Sequence, residues 1–178
     1  MGQYYRPYLK NEKIGNLVYA TYIDGDYMMA KLMEHSWLRN PFVNAICGKI
    51  YKTPTKVVWV GDYANEPGDD KTVYEMAWGE DSPFVRKDLK KSDFNIDDKY
   101  LVNYTKKQYI DMQKYIDIAD GSEWVIHPLP LLTVVGNGRG GGDYRGITDV
   151  GTWAGDLLAF EDNVPEGFDL LDTFFEEE

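Results

Sequence analysis

The chain has 178 residues, of which 43% are hydrophobic and 15% aromatic, with 14 Tyr, one Cys and a formal net charge of -11. That is enough apolar material for a folded single domain and excludes a disordered chain. The acidic field argues against duplex nucleic acid as a partner, and no apolar run approaches the ~20 residues that span a membrane. A single cysteine excludes an intrachain disulfide, and with no leader-like segment the expectation is a cytoplasmic protein.

In chain order, "QYYRPYLK" and "LVYATYI" flank Gly15-Asn16 and read as a β-hairpin. Pro7 places the first of these strands at a sheet edge. "YMMAKLMEHSW" is compatible with helix or strand. Asn40-Pro41 is a helix start, with Asn as N-cap and Pro in the first turn. The helix it opens puts Phe42, Val43, Ile46 and Ile50 near one face and carries Cys47 as a small core residue. "KVVWVGDY" is a short strand ending at Gly61-Asp62, "ANEPGDDK" a polar loop and "TVYEMAW" a strand. The charged stretch 79–99 reads as a surface insertion.

"YLVNY" (100–104) reads as a strand. Thr105 and Gln108 have capping-box spacing and predict a helix through "KKQYIDMQKYIDIA", ended by Gly121. "EWVIHPLPLLTVV" contains two prolines, which argue against a helix and for a strand. "GTWAGDLLAFED" reads as a last strand. In the acidic C-terminal tail, Phe168, Leu170, Leu171 and Phe174 are spaced to dock a short helix. The irregular mixture predicts an α+β fold, a single domain over 1–178 with a mainly antiparallel sheet and two or three helices.

The densest functional signal is "VVGNGRGGGDYRG" (134–146), with six glycines and two arginines. Glycine admits positive φ and close approach to backbone N–H groups, which can cradle an anion. Arg139 and Arg145 can each grip phosphate or carboxylate with a planar pair of donors. Residues 136–141 match G-x-G-x-x-G, but no helix opens there and no βαβ unit surrounds it, so a dinucleotide fold is not expected. A tight strand connection explains the glycines alone; Asn137, Arg139, Asp143, Tyr144 and Arg145 exceed what a turn needs. The expected ligand set is Asn137, Gly138, Arg139, Gly140, Gly141, Asp143, Tyr144 and Arg145, with Asp62 and Asp156 as neighbouring carboxylates.

"WVGDY" (59–63) and "WAGDL" (153–157) share Trp-x-Gly-Asp, and two such strand ends lying side by side would bring Trp59 and Trp153 together as stacking walls. Ordinary burial of aromatics favours the core for both. If Asp62, Asp143 and Asp156 converged they could bind a cation or do acid–base work with His127. Gly-Asp is also common turn chemistry. His35 and His127 have no metal-ligand spacing, so no metal site is expected, and no cofactor is identified.

The blocks "MGQYY", "KLMEHSW" with "FVN", "VVWVGDYA", "NGRGGGDY" and "VGTWAGD" together resemble a family of small uncharacterised bacterial and phage proteins. The resemblance extends over residues 1–156 and leaves out 79–99. It implies no activity, but it implies a phage or prophage setting. Three readings follow. The first is a non-catalytic binding module for a small anionic, nucleotide-like ligand, a phage-encoded sink for a host signal. The second is an acidic inhibitor that occupies a basic groove of a host protein. The third is a hydrolase or transferase using the Gly-Asp carboxylates. Homo-oligomerisation is compatible with each.

Overall fold

A computed structural model describes residues 3–10, 17–22, 31–64, 84–90, 92–122, 124–136 and 149–175. Among them are β1 (Tyr5–Lys10), β2 (Leu17–Tyr22), α1 (Leu32–His35), α2 (Pro41–Lys49), β3 (Thr55–Gly61), β4 (Phe84–Leu89), β5 (Tyr100–Asn103) and β6 (Gln108–Asp111). They are followed by α3 (Met112–Ala119), α4 (Pro128–Thr133), β7 (Val134–Val135), β8 (Leu157–Glu161) and β9 (Asp169–Leu170). The strands form one sheet in the order β4-β2-β1-β3-β8-β5-β6-β9, with β7 added to β3. Five of its pairings are antiparallel and three, β2–β4, β3–β7 and β6–β9, are parallel. The expected α+β class with a mainly antiparallel sheet is therefore what the chain adopts. No helix among the described residues is long and apolar enough to cross a membrane.

The β1–β2 hairpin forms, with Tyr8 opposite Tyr19 and Lys10 opposite Leu17. Its proline is not on an edge, because β1 lies between β2 and β3. Strand parity makes this tolerable. Asp62 N donates to Tyr4 O (2.9 Å), so the alternate residues Arg6 and Tyr8 direct their backbone groups at β3 and Pro7 directs its own the other way. On that side the ladder to β2 begins only at Tyr8, so the proline, with no N–H to donate, sits just beyond its last paired residue.

Alternation also divides the core. Tyr5, Leu9, Val57 and Trp59 share one cluster with α2 (Phe42, Val43, Ile46), α3 (Met112, Tyr115) and α4 (Leu129, Leu131, Leu132). Tyr8 and Val60 pack with Ala64 on the opposite face. α2 starts as its sequence dictates: Asn40 Oδ1 accepts from Phe42 N (2.8 Å) and Val43 N (3.2 Å), and Pro41 fills a first-turn position.

Four sequence expectations are corrected. Gln108–Asp111 is a strand, not the first turn of a helix, because Asn103 Oδ1 accepts from Thr105 N (3.0 Å) and Lys106 N (2.9 Å) and closes a β5–β6 turn. The helix begins only at Met112, where Asp111 Oδ1 accepts from Lys114 N (3.0 Å), and ends at left-handed Asp120 and Gly121. Residues 128–133 are a fully buried helix despite Pro128 and Pro130. Both prolines sit in the first turn, where an N–H has no intrahelical partner to lose. The described part of 79–99 does not lie wholly on the surface: β4 pairs in parallel with β2, and Leu89 and Ile96 are buried. The C-terminal tail docks through β9 and Phe175 rather than through a helix; Phe175 is fully buried, and its N–H donates to Tyr115 Oη (2.9 Å) while Tyr115 Oη donates to Ile126 O (2.7 Å). The strand expected over 72–78, the hairpin turn at 11–16 and the closing glutamates lie outside the described residues.

Replacing Asn40 with Ala removes the α2 cap, and the expected loss is about 1 kcal/mol of unfolding free energy, most of which Asn40→Asp restores. Urea denaturation of the three proteins checks this.

Candidate functional site

The Gly-rich segment departs from a constrained corner. β7 runs parallel to β3, Trp59 beside Val134 and Val60 beside Val135, so their carboxyl ends lie together. Gly61-Asp62 follows one and Gly136 the other. The fully buried side chain of Gln3 fills the space between them. A Cβ on Gly61 would overlap the Gln3 amide, and one on Gly136 would stand 2.8 Å from Tyr5 Oη and 2.9 Å from Gln3 Oε1. Tyr5 Oη donates to that same Oε1 (2.8 Å). Both glycines are thus favoured by the close approach of the Gln3 and Tyr5 side chains, not by turn geometry. Asp62 Oδ1 accepts from Tyr4 N (3.1 Å), which ties the end of β3 to the residue before β1.

The chain returns to the same corner. Gly151 has φ +75°, its N–H donates to Leu131 O (2.8 Å), and a Cβ there would lie 2.8 Å from Val134 O. Trp153 N donates to Leu132 O (2.7 Å). Both stems of residues 137–148 are therefore held by α4 and β7. Asn137, Gly138, Arg139, Gly140, Gly141, Asp143, Tyr144 and Arg145 themselves lie outside the described residues.

The two tryptophans are not stacking walls. Trp59 is 2% exposed and packs edge-on against Phe42, with centroids 6.2 Å apart. Trp153 is fully buried, and its indole N–H donates to Gln108 Oε1 (3.2 Å). The two Gly-Asp pairs do not lie side by side either. Gly155 N donates to Val57 O (2.9 Å), which puts Asp156 beside Val57, five residues along β3 from Asp62 and roughly 16 Å away at strand rise. Asp156 accepts from Asn103 Nδ2 (2.8 Å) and faces Lys106 Nζ (3.4 Å), a structural role at the start of β8. The exposed aromatic at the corner is Tyr63 (39% exposed), directly after Asp62. Its position in Gly-Asp-Tyr, beyond the last paired residue of β3, was the available signal.

His127 and Cys47 meet in the core. His127 Nδ1 accepts from Leu129 N (3.1 Å) as the cap of α4, and Nε2 lies 3.5 Å from Cys47 Sγ. Both residues are fully buried. Since Nδ1 accepts, the neutral ring carries its proton on Nε2 and presents it to sulfur. Burial lowers the His127 pKa to about 3 and raises that of Cys47 well above a thiol's ordinary value. This is a neutral, enclosed pair rather than a nucleophile and its base. It also removes His127 as a proton carrier for Asp62 or Asp156. Among the described residues, no group of three or more His, Cys, Asp and Glu side chains could hold a metal ion.

One charged cluster had no sequence signal. Asp162 accepts from Tyr51 Oη (2.9 Å) and pairs with Lys52 (2.7 Å) and Lys99 (3.2 Å). These donors hold its carboxyl well below the usual carboxylate range, the Lys52 hydrogen bond most of all. All three cations and donors are satisfied by the chain itself, so the cluster fastens the α2–β3 turn to the end of β8.

Comparison with protein-family models, with curated proteins and with solved structures gives no match.

Two outcomes test this geometry. Gly61→Ala should cost on the order of 1–3 kcal/mol by overpacking, and Gln3→Ala in the same chain should return part of it, as read from urea midpoints. His127 is neutral when folded but protonates near 6.5 when unfolded, so its contribution is complete above pH 6.5 and is lost as pH falls towards 3. Relative to His127→Asn, which keeps a capping oxygen and cannot titrate, the wild type should lose up to about tenfold in folding constant per pH unit across that window.

Proposed function

We propose that this protein is a non-catalytic binding module for a small anionic, nucleotide-like ligand, held by the loop 136–146. The observation that carries the reading is the stem: a loop rich in glycine and arginine is anchored at both ends beside the carboxyl ends of two parallel strands. Rigid scaffolds that present a polar loop are a common way to build a binding site, and crevices at strand carboxyl ends are a common place for one. Arg139 and Arg145 would supply the bidentate grip and the loop N–H groups the cradle. Tyr63 takes the stacking role first assigned to Trp59, and Asp62 serves the stem through its bond to Tyr4 N. The resemblance to bacterial and phage proteins extends the reading to sequestration of a host signal.

Differential scanning fluorimetry against a panel of mono-, di- and cyclic nucleotides and inorganic phosphate tests it. At least one nucleotide should raise the wild-type melting temperature by several degrees, as ligand at about 100 times Kd contributes roughly 2.7 kcal/mol. Arg139→Ala should abolish that shift without changing the unliganded melting temperature. No shift with any compound defeats the proposal.

A further inference from the structure

A second surface shares no residue with the loop stem. Leu38 N donates to Val125 O (2.8 Å) and Trp37 bridges to Ile126, so residues 36–38 lie beside 125–127. With the neighbouring end of α3 they enclose an open groove of about 600 Å³, lined by Trp37, Leu38, Arg39, Ile116, Ala119 and Trp124 among others. Pockets of this volume are large enough for specific recognition. Trp37 is 36% exposed and Trp124 64% exposed, and Ile118 on α3 is half exposed. Two tryptophans left open to solvent in one concavity add little to the core, and tryptophan is the residue most enriched at binding hot spots.

The electrostatics select the occupant. Arg39, the one cation among the described lining residues, is already paired with Asp97 (2.9 Å). The chain as a whole carries a formal net charge of -11. On the groove's α3 wall the exposed Asp117 and Asp120 directly follow the lining residues Ile116 and Ala119. Such a surface repels anions and draws cations, and indole faces are the best aromatic partners for ammonium and guanidinium groups.

We propose that this groove docks a cationic segment of a partner protein, with an apolar side chain seated against Trp37 and Trp124 and flanking Lys or Arg side chains over the acidic rim. The probe is a fluorescein-labelled peptide, Lys-Leu-Lys-Lys-Leu-Lys-Leu-Lys, titrated with the full chain by fluorescence polarisation. Saturable binding is expected, weakened at least tenfold by Trp124→Ala and by 0.5 M NaCl, and lost when Glu replaces Lys in the peptide. Trp124 is exposed, so the variant should keep the wild-type melting temperature. Any one of three results overturns the proposal: no saturable binding, equal binding by Trp124→Ala, or equal binding when Ser replaces Leu, which would mean charge alone. A concentration-dependent dimer in sedimentation velocity that Trp124→Ala dissolves also overturns it, because the groove would then belong to a second copy of the chain.

Discussion

The enclosed imidazole of His127 is the constraint on which the described part of the fold turns. Its backbone N–H donates to Ser36 O (2.8 Å), its Nδ1 caps α4, and its Nε2 meets Cys47 on α2. One residue thereby joins the segment after α1, through its backbone, to the middle of α2 and the start of α4, through its ring. A buried ring must satisfy both nitrogens or incur the cost of an unpaired polar group. Here one nitrogen accepts from an orphan helix N–H and the other donates to a thiol, so the ring stays neutral. α4 then delivers β7 to β3, and β7 delivers the Gly-rich segment to its corner.

β3 is where this architecture concentrates its demands. β1 occupies one edge from Lys56 to Gly61, while the other edge is shared: β8 pairs with Thr55 and Lys56, β7 with Trp59 and Val60. The strand's alternation sends Val57 and Trp59 under the helices and Val58 and Val60 to the opposite face. That parity puts Trp59 in the core; Tyr63 has the same parity but follows the end of the strand, in a turn closed by Ala64 N donating to Gly61 O (2.9 Å), and stays exposed. The same shared edge separates the two Gly-Asp pairs, one at each end of β3, despite their similar sequences.

Much of this was legible locally. Asn40-Pro41 specifies its helix with atoms two and three residues away, and the β1–β2 hairpin follows from two aromatic runs about a Gly-Asn turn. The misreadings arose where a distant or competing partner decided. Thr105 and Gln108 have the spacing of a capping box, but Asn103 captures the neighbouring N–H groups, Thr105 Oγ1 accepts from Leu157 N and Gln108 accepts from Trp153. Pro128 and Pro130 speak against a helix unless both fall in its first turn, and only the His127 cap places them there. Pro7 reads as an edge residue because its sequence does not reveal that the β2 ladder stops one residue short. Of the candidate site, the loop and Asp62 were visible as composition; the Gln3 wedge and Tyr63 depended on the register of β1 against β3.

The position of β8 has a consequence for how the protein is made. Strands β4, β2, β1 and β3 come from the first half of the chain and β5, β6 and β9 from the second, and in the pairing order β8 alone links the two sets. Among the described strands it is also the last but one in sequence. Until residues 157–161 insert, a nascent chain holds two partial sheets, β5 with one bare edge and β3 covered on that side only at Trp59 and Val60 by β7. Bare edges are templates for pairing with other chains, and closing such distant contacts is slow. A chain cut off before residue 157 would offer both edges to other molecules.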